Sequence, residues 1–184
     1  MTSFKLSDER YEEIKEIIVD MFETYHVSCV PISGFEIATR MGIKVVPYSA
    51  LEKRIRRLIL KKGEDGVTGL NCGEYTIYYN DNMPTYGRIN NTIMHEIGHI
   101  VLGHLEESEL AEAEARFFAK YALAPPPLLH KRKISSPEEI EEIFDISYEA
   151  ACYAYDYYQK WLSYGDKEYT AYEIRTLELF EGVM

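Results

Sequence analysis

The stretch Asn91-Thr92-Ile93-Met94-His95-Glu96-Ile97-Gly98-His99-Ile100-Val101-Leu102 decides how this chain is read. It is apolar, has the look of a buried helix, and carries His-Glu-x-x-His at positions 95–99. On a helix with about 3.6 residues per turn, positions four apart point nearly the same way. The imidazoles of His95 and His99 can therefore bind one metal ion together. Glu96 follows the first of them, where its carboxylate can reach a water held by that ion. This is the arrangement of a zinc hydrolase that cuts peptide bonds. The bland alternative is a pair of histidines that only cap or hydrogen-bond within a core. Ile93, Ile97, Ile100 and Val101 are expected to face that core, with Asn90 or Asn91 as N-cap and Gly103 at the helix end. Gly98 costs about 1 kcal/mol against Ala in a helix. Its lack of a side chain lets another backbone or a substrate approach closely.

Catalytic zinc usually takes three protein ligands and keeps a fourth position for water. The third must come from elsewhere in the chain. Leu105 stands where the metzincin pattern places a third His, and His104 comes one residue early. On an ideal helix His104 lies about 140° around from His99, so it cannot join the same ion unless the helix breaks. It reads as a helix-end residue. Downstream, residues 106–123 read as a second helix rich in Ala and Glu, closed by Pro125-Pro126-Pro127. Its small residues allow close packing on the motif helix. A Glu from it can then complete a site of two His and one carboxylate.

The segment His95–His104, followed by Glu112-Ala113-Glu114-Ala115-Arg116-Phe117-Phe118-Ala119 and Leu123-Ala124-Pro125, resembles the ImmA/IrrE family of metallo-endopeptidases. That family pairs H-E-x-G-H-x-x-x-G-H with E-x-E-A-N-x-F-A. Upstream, Val30-Pro31-Ile32, Phe35–Ala38 and Met41–Val45 also resemble its opening helix and strand, so the likeness covers roughly residues 10–128. The resemblance implies a gluzincin-like zinc site with Glu112 as third ligand, Glu114 being the second choice. It also implies an orienting residue at position 116. Here that residue is Arg116, which cannot accept a hydrogen bond from an imidazole N–H. A backbone carbonyl, a water or another acid must take over, or metal affinity falls by about 10–100-fold. The oxyanion-stabilising group is open among Tyr78, Tyr79, Arg88, His104 and Arg116.

At 184 residues the chain is long enough for one domain with a real core. The expected class is α+β: a mainly helical zincin-like domain with a small β-sheet over residues 1–128, and a C-terminal helical module over 129–184. No run of about 18 apolar residues is present, so no membrane span is expected. The opening residues do not read as a signal peptide. Cys29, Cys72 and Cys152 are odd in number and widely spaced, which points to reduced thiols and the cytoplasm. A net charge of −11 argues against direct nucleic-acid binding. One basic run, Lys53–Lys62, is the exception. It reads as a solvated helix face with Leu51, Ile55, Leu58 and Ile59 buried behind it, or as a dock for an acidic partner.

Elsewhere, residues 7–25 and a capping box at Ser33–Glu36 read as helices. Ile43–Tyr48 reads as a strand, and a hairpin is expected around Cys72-Gly73, the second strand offering a sheet edge to an extended peptide. Ser136-Pro137 opens a helix that turns at Asp145–Ser147 into another over 148–162. The spacing is that of a helix-turn-helix, but the second helix has no basic residue before Lys160, so it reads as a packing module. A last helix is expected within 166–184. The function expected is a zinc-dependent endopeptidase acting on a protein. The family resemblance suggests a helix-turn-helix repressor of a mobile element or stress response as substrate. The alternative is a non-catalytic protein that regulates a repressor by contact. The oligomeric state is not legible.

Overall fold

The computed structural model describes residues 5–106, 108–164 and 168–181. The first four residues, Glu107 at the expected start of the second helix, Gly165, Asp166 and Lys167 lie outside the described residues. So do the last three of the expected final helix. The fold is mainly helical with a small sheet, a three-stranded one among the described residues.

Helix α1 (Asp8–Thr24) is capped by Ser7, whose side chain accepts from the Arg10 backbone N–H. It buries Ile14, Ile18, Val19 and Phe22. Helix α2 (Gly34–Arg40) starts at the Ser33 cap and stops at Gly42, which sits at φ 73°. The sheet follows: β1 (Lys44–Pro47), β2 (Gly66–Asn71) and β3 (Glu74–Tyr79), in the order β1-β3-β2. Strand β3 is central, parallel to β1 and antiparallel to β2. Cys72 and Gly73 make the hairpin turn, both at positive φ, as a two-residue type I′ turn requires. The second hairpin strand, β3, was expected to offer a sheet edge, but it is paired on both sides, so the free edge on this side of the sheet belongs to the first hairpin strand, β2.

Between β1 and β2 lie a 3-10 turn (Tyr48–Ala50) and helix α3 (Lys53–Ile59). The expected burial behind the basic run does not occur. Ile55 and Leu58 are exposed, Leu51 and Ile59 are only half-buried, and α3 has no buried residue. The helix also has no side-chain cap.

The motif helix α4 (Tyr86–Val101) begins earlier than expected. Thr85 is its N-cap and accepts from the Arg88 N–H. Asn90 is therefore interior, not a cap. It is buried, accepts from the Gly34 N–H at 2.7 Å and donates to the Ile32 carbonyl at 2.9 Å. This ties the start of α2 to α4. Ile93, Met94 and Ile97 are fully buried, each contributing about 1.5–3 kcal/mol of hydrophobic stabilisation. Helix α5 (Glu109–Leu123) starts at the Ser108 cap and ends before the prolines, and α6 (Pro126–Lys131) begins within them. Helices α7 (Pro137–Phe144), α8 (Tyr148–Ser163) and α9 (Ala171–Leu179) complete the order.

One hydrophobic cluster runs from Ile14 and Phe22 through Ile97 and Phe118 to Ile140, Phe144 and Phe180, so residues on both sides of position 128 share it. The α7–α8 turn, with Asp145 in the left-handed region at φ 49°, seats against the first turn of α4. A Cβ at Gly87 would lie 2.6–2.8 Å from the backbone of Ile146 and Ser147. Backbone cannot swing aside as a side-chain tip can. Gly87→Ala should therefore cost about 1–3 kcal/mol, read as a lower denaturant midpoint with an unchanged m-value.

Candidate metal centre

Two helices build the centre, and their spacing is set at Gly98. A Cβ there would lie 3.1–3.2 Å from the Phe118 side chain, so a glycine at this point of α4 lets α5 lie close against it. The close neighbour is thus an aromatic ring, not another backbone. The approach brings Glu112, on the first turn of α5, over the two histidines of α4.

The three side chains converge through defined atoms. His95 Nε2 and His99 Nε2 are 3.1 Å apart. Glu112 Oε2 is 3.4 Å from His95 Nε2, and Glu112 Oε1 is 3.3 Å from His99 Nε2. Two ligand atoms bound tetrahedrally to one zinc at about 2.05 Å lie about 3.3 Å apart. The spacings match the edges of such a tetrahedron, and the donor set is two imidazoles and one carboxylate. His99 titrates low, at about 4, chiefly because it is buried and next because His95 is beside it, with Glu112 pulling the other way. Its ring is neutral at ordinary pH, so a lone pair is available to a cation. Glu112 is held below the usual carboxylate range, first by its hydrogen bond to His95, against the effect of burial. The residues present fit a divalent cation, and a set with one carboxylate and two nitrogens suits zinc.

Glu96 is buried beside this cluster, not within it. The Thr68 hydroxyl of β2 donates to Glu96 Oε2 at 2.7 Å. A Cβ on Gly66 would touch Thr92 and approach Glu96 Oε1 at 3.4 Å, so β2 passes directly along this carboxylate. Burial pushes the Glu96 carboxyl above its usual range, with the Thr68 hydrogen bond and His95 opposing. A carboxylate so placed is held in position and has a proton affinity suited to general-base work.

Glu114, the second choice, does not join this cluster. Its carboxylate faces away from the cluster, accepting from Arg10 Nε at 2.7 Å and Arg10 Nη2 at 2.9 Å. His104 also reaches it, Nε2 to Oε2, at 2.8 Å, while His104 Nδ1 lies 2.9 Å from His99 Nδ1. The straight-helix projection of His104 failed because α4 ends in a Schellman motif. The Gly103 N–H bonds the Ile100 carbonyl, the His104 N–H bonds the His99 carbonyl, and Gly103 sits at φ 70°. This closure folds residue 104 back over residue 99. The signal lay in Gly103 itself, since a left-handed C′ glycine places the next residue against the one five earlier.

The other polar candidates are scattered. Arg116 is exposed and acts on Glu112 only through its charge. Arg88 is 3.5 Å from Asp65. Tyr79 packs edge-on against Phe35, and the Tyr78 ring lies over Gly69. Thr68, Gly66 and Arg10 carried no motif and were missed by sequence reasoning.

A family model described as the IrrE N-terminal-like domain, of peptidase family M78, matches residues 38–155. No curated protein matches the chain. With three candidate ligands meeting at one point, His95→Ala, His99→Ala or Glu112→Ala should each reduce bound zinc from about one equivalent to near zero. Elemental analysis of the purified variants measures this.

Proposed function

Because the chain belongs to the IrrE N-terminal-like family of peptidases, we propose that it is a zinc-dependent endopeptidase with a protein substrate. The observation that carries this reading is Glu96, buried and held by Thr68, next to a cluster of two imidazoles and a carboxylate at tetrahedral spacing. Zinc bound there supplies Lewis acidity, polarising a carbonyl and acidifying water at neutral pH. Glu96 takes the proton from the attacking water. Its Oε2 is tied to Thr68, which leaves Oε1 to receive the proton and pass it to the departing amine nitrogen. His95, His99 and Glu112 would hold the ion.

The substrate is held as an extended strand on β2. In a hairpin with a two-residue turn, Asn71 and Glu74 form the hydrogen-bonded closing pair. Alternate residues Leu70, Thr68 and Gly66 therefore turn their N–H and C=O groups to the free edge. Thr68 also touches Glu96, so a peptide added to this edge runs past the general base.

The family suggests a helix-turn-helix repressor of a mobile element or stress response as substrate. Cys29, Cys72 and Cys152 are free thiols, which supports a reducing, cytoplasmic setting. No described helix is long and apolar enough to cross a membrane. The surface is acidic overall, so contact with DNA is left to the repressor. The competing reading, a non-catalytic regulator, draws on Arg116 at the orienting position. It loses weight because His104 occupies the back of His99.

Co-expression with a helix-turn-helix repressor from a neighbouring gene tests the proposal. The wild-type chain should cleave the repressor at one internal bond. Glu96→Gln should keep its zinc and lose cleavage by at least about 100-fold. Intact repressor bound to zinc-loaded wild type would favour the regulator instead. Leu70→Pro removes one edge N–H without touching the ladder to β3. It should raise KM several-fold and leave zinc content unchanged.

A further inference from the structure

The imidazole of His99 must present Nε2 to the cation, since that atom faces His95 Nε2 and Glu112. Its proton must then sit on Nδ1. A metal-bound imidazole needs an acceptor for that proton to fix its ring plane and tautomer. The family pattern places the acceptor at residue 116, where this chain has an exposed Arg that can only donate. The atom actually facing His99 Nδ1, at 2.9 Å, is Nδ1 of His104.

We propose that His104 is the positioning residue of this metal centre, and that Glu114 and Arg10 hold it in the accepting tautomer. The hydrogen bonds leave one consistent arrangement of protons. His99 Nδ1–H donates to the lone pair on His104 Nδ1. His104 therefore carries its proton on Nε2 and donates it to Glu114 Oε2 at 2.8 Å. Glu114, buried, cannot be left charged without a partner, and Arg10 meets it with two parallel N–H bonds. The Schellman turn at Gly103 gives the His104 ring its place. The relay thus begins on α1, in a part of the chain that precedes the residues matched by the family model. Arg116 is freed from the orienting task and left at the surface.

The inference rests on the reading of His95, His99 and Glu112 as ligands, and the test separates the two. Zinc affinity is measured by chelator competition for wild type, His95→Ala, His104→Ala and His104→Asn. The Asn oxygen falls near the place of the imidazole Nδ1 and can accept from His99. Wild type should bind zinc and His95→Ala should not. His104→Ala should bind about 10–100-fold more weakly, and His104→Asn should recover most of that loss. A wild type that takes up no zinc would sink the ligand reading and the relay with it. Ligand variants that lose zinc while His104→Ala keeps full affinity would overturn the relay alone, as would an Asn variant no better than Ala. Should the Ala variant fail to fold, nitrogen-15 NMR of the unmutated, zinc-loaded protein decides. His104 should show a protonated Nε2 and a bare Nδ1, and the opposite tautomer overturns the proposal.

Discussion

At Gly98 the metal helix has no side chain, and the Phe118 ring of α5 lies in the space. That contact sets the distance between α4 and α5, and the distance sets the chemistry. Were α5 held off by a larger residue, Glu112 could not stand 3.3–3.4 Å from both imidazole nitrogens. The glycine is unfavourable for α4 taken alone, by about 1 kcal/mol. Burial of Ile93, Met94, Ile97 and Phe118 around it outweighs that loss. The helix pair thus gains its stability from apolar packing, and its polar edge inherits a geometry that packing has already fixed.

The legible parts of the sequence were those where one local rule had no rival. Ser33 and Ser136 cap the helices they were read to open, whereas Ser108, read inside the second helix, is its N-cap. The hairpin around Cys72-Gly73 follows from its turn. The pair His95–His99 follows from helical spacing, and Glu112 from the family likeness joined to close packing of α5. Failures came where tertiary structure overrode a local signal. Asn90 has the chemistry of a cap but spends it joining α2 to α4 from inside the helix. The apolar residues of α3 have helical spacing, yet none of them is buried. Arg10 was beyond reach altogether, because nothing in a single sequence links it to Glu114 across 104 positions.

The sheet and the C-terminal helices serve the centre from opposite sides. Strand β2 brings Thr68 to Glu96, so the carboxylate proposed as general base is oriented by the strand at the open edge of the sheet. The α7–α8 turn leans on Gly87 at the far end of α4. The two helices whose spacing suggested a helix-turn-helix thus brace α4 through their turn, and the second offers no positive charge before Lys160.

If the centre holds a cation as proposed, the ion pair between α1 and α5 would make cation binding and the docking of the first helix linked equilibria. If seating Arg10 on Glu114 strengthens the grip on the ion, then by thermodynamic reciprocity the ion strengthens the seating of α1 by the same factor. Occupancy of the centre would then be felt on α1 through Glu114 and His104, and anything that peels α1 away would loosen the hold on the ion.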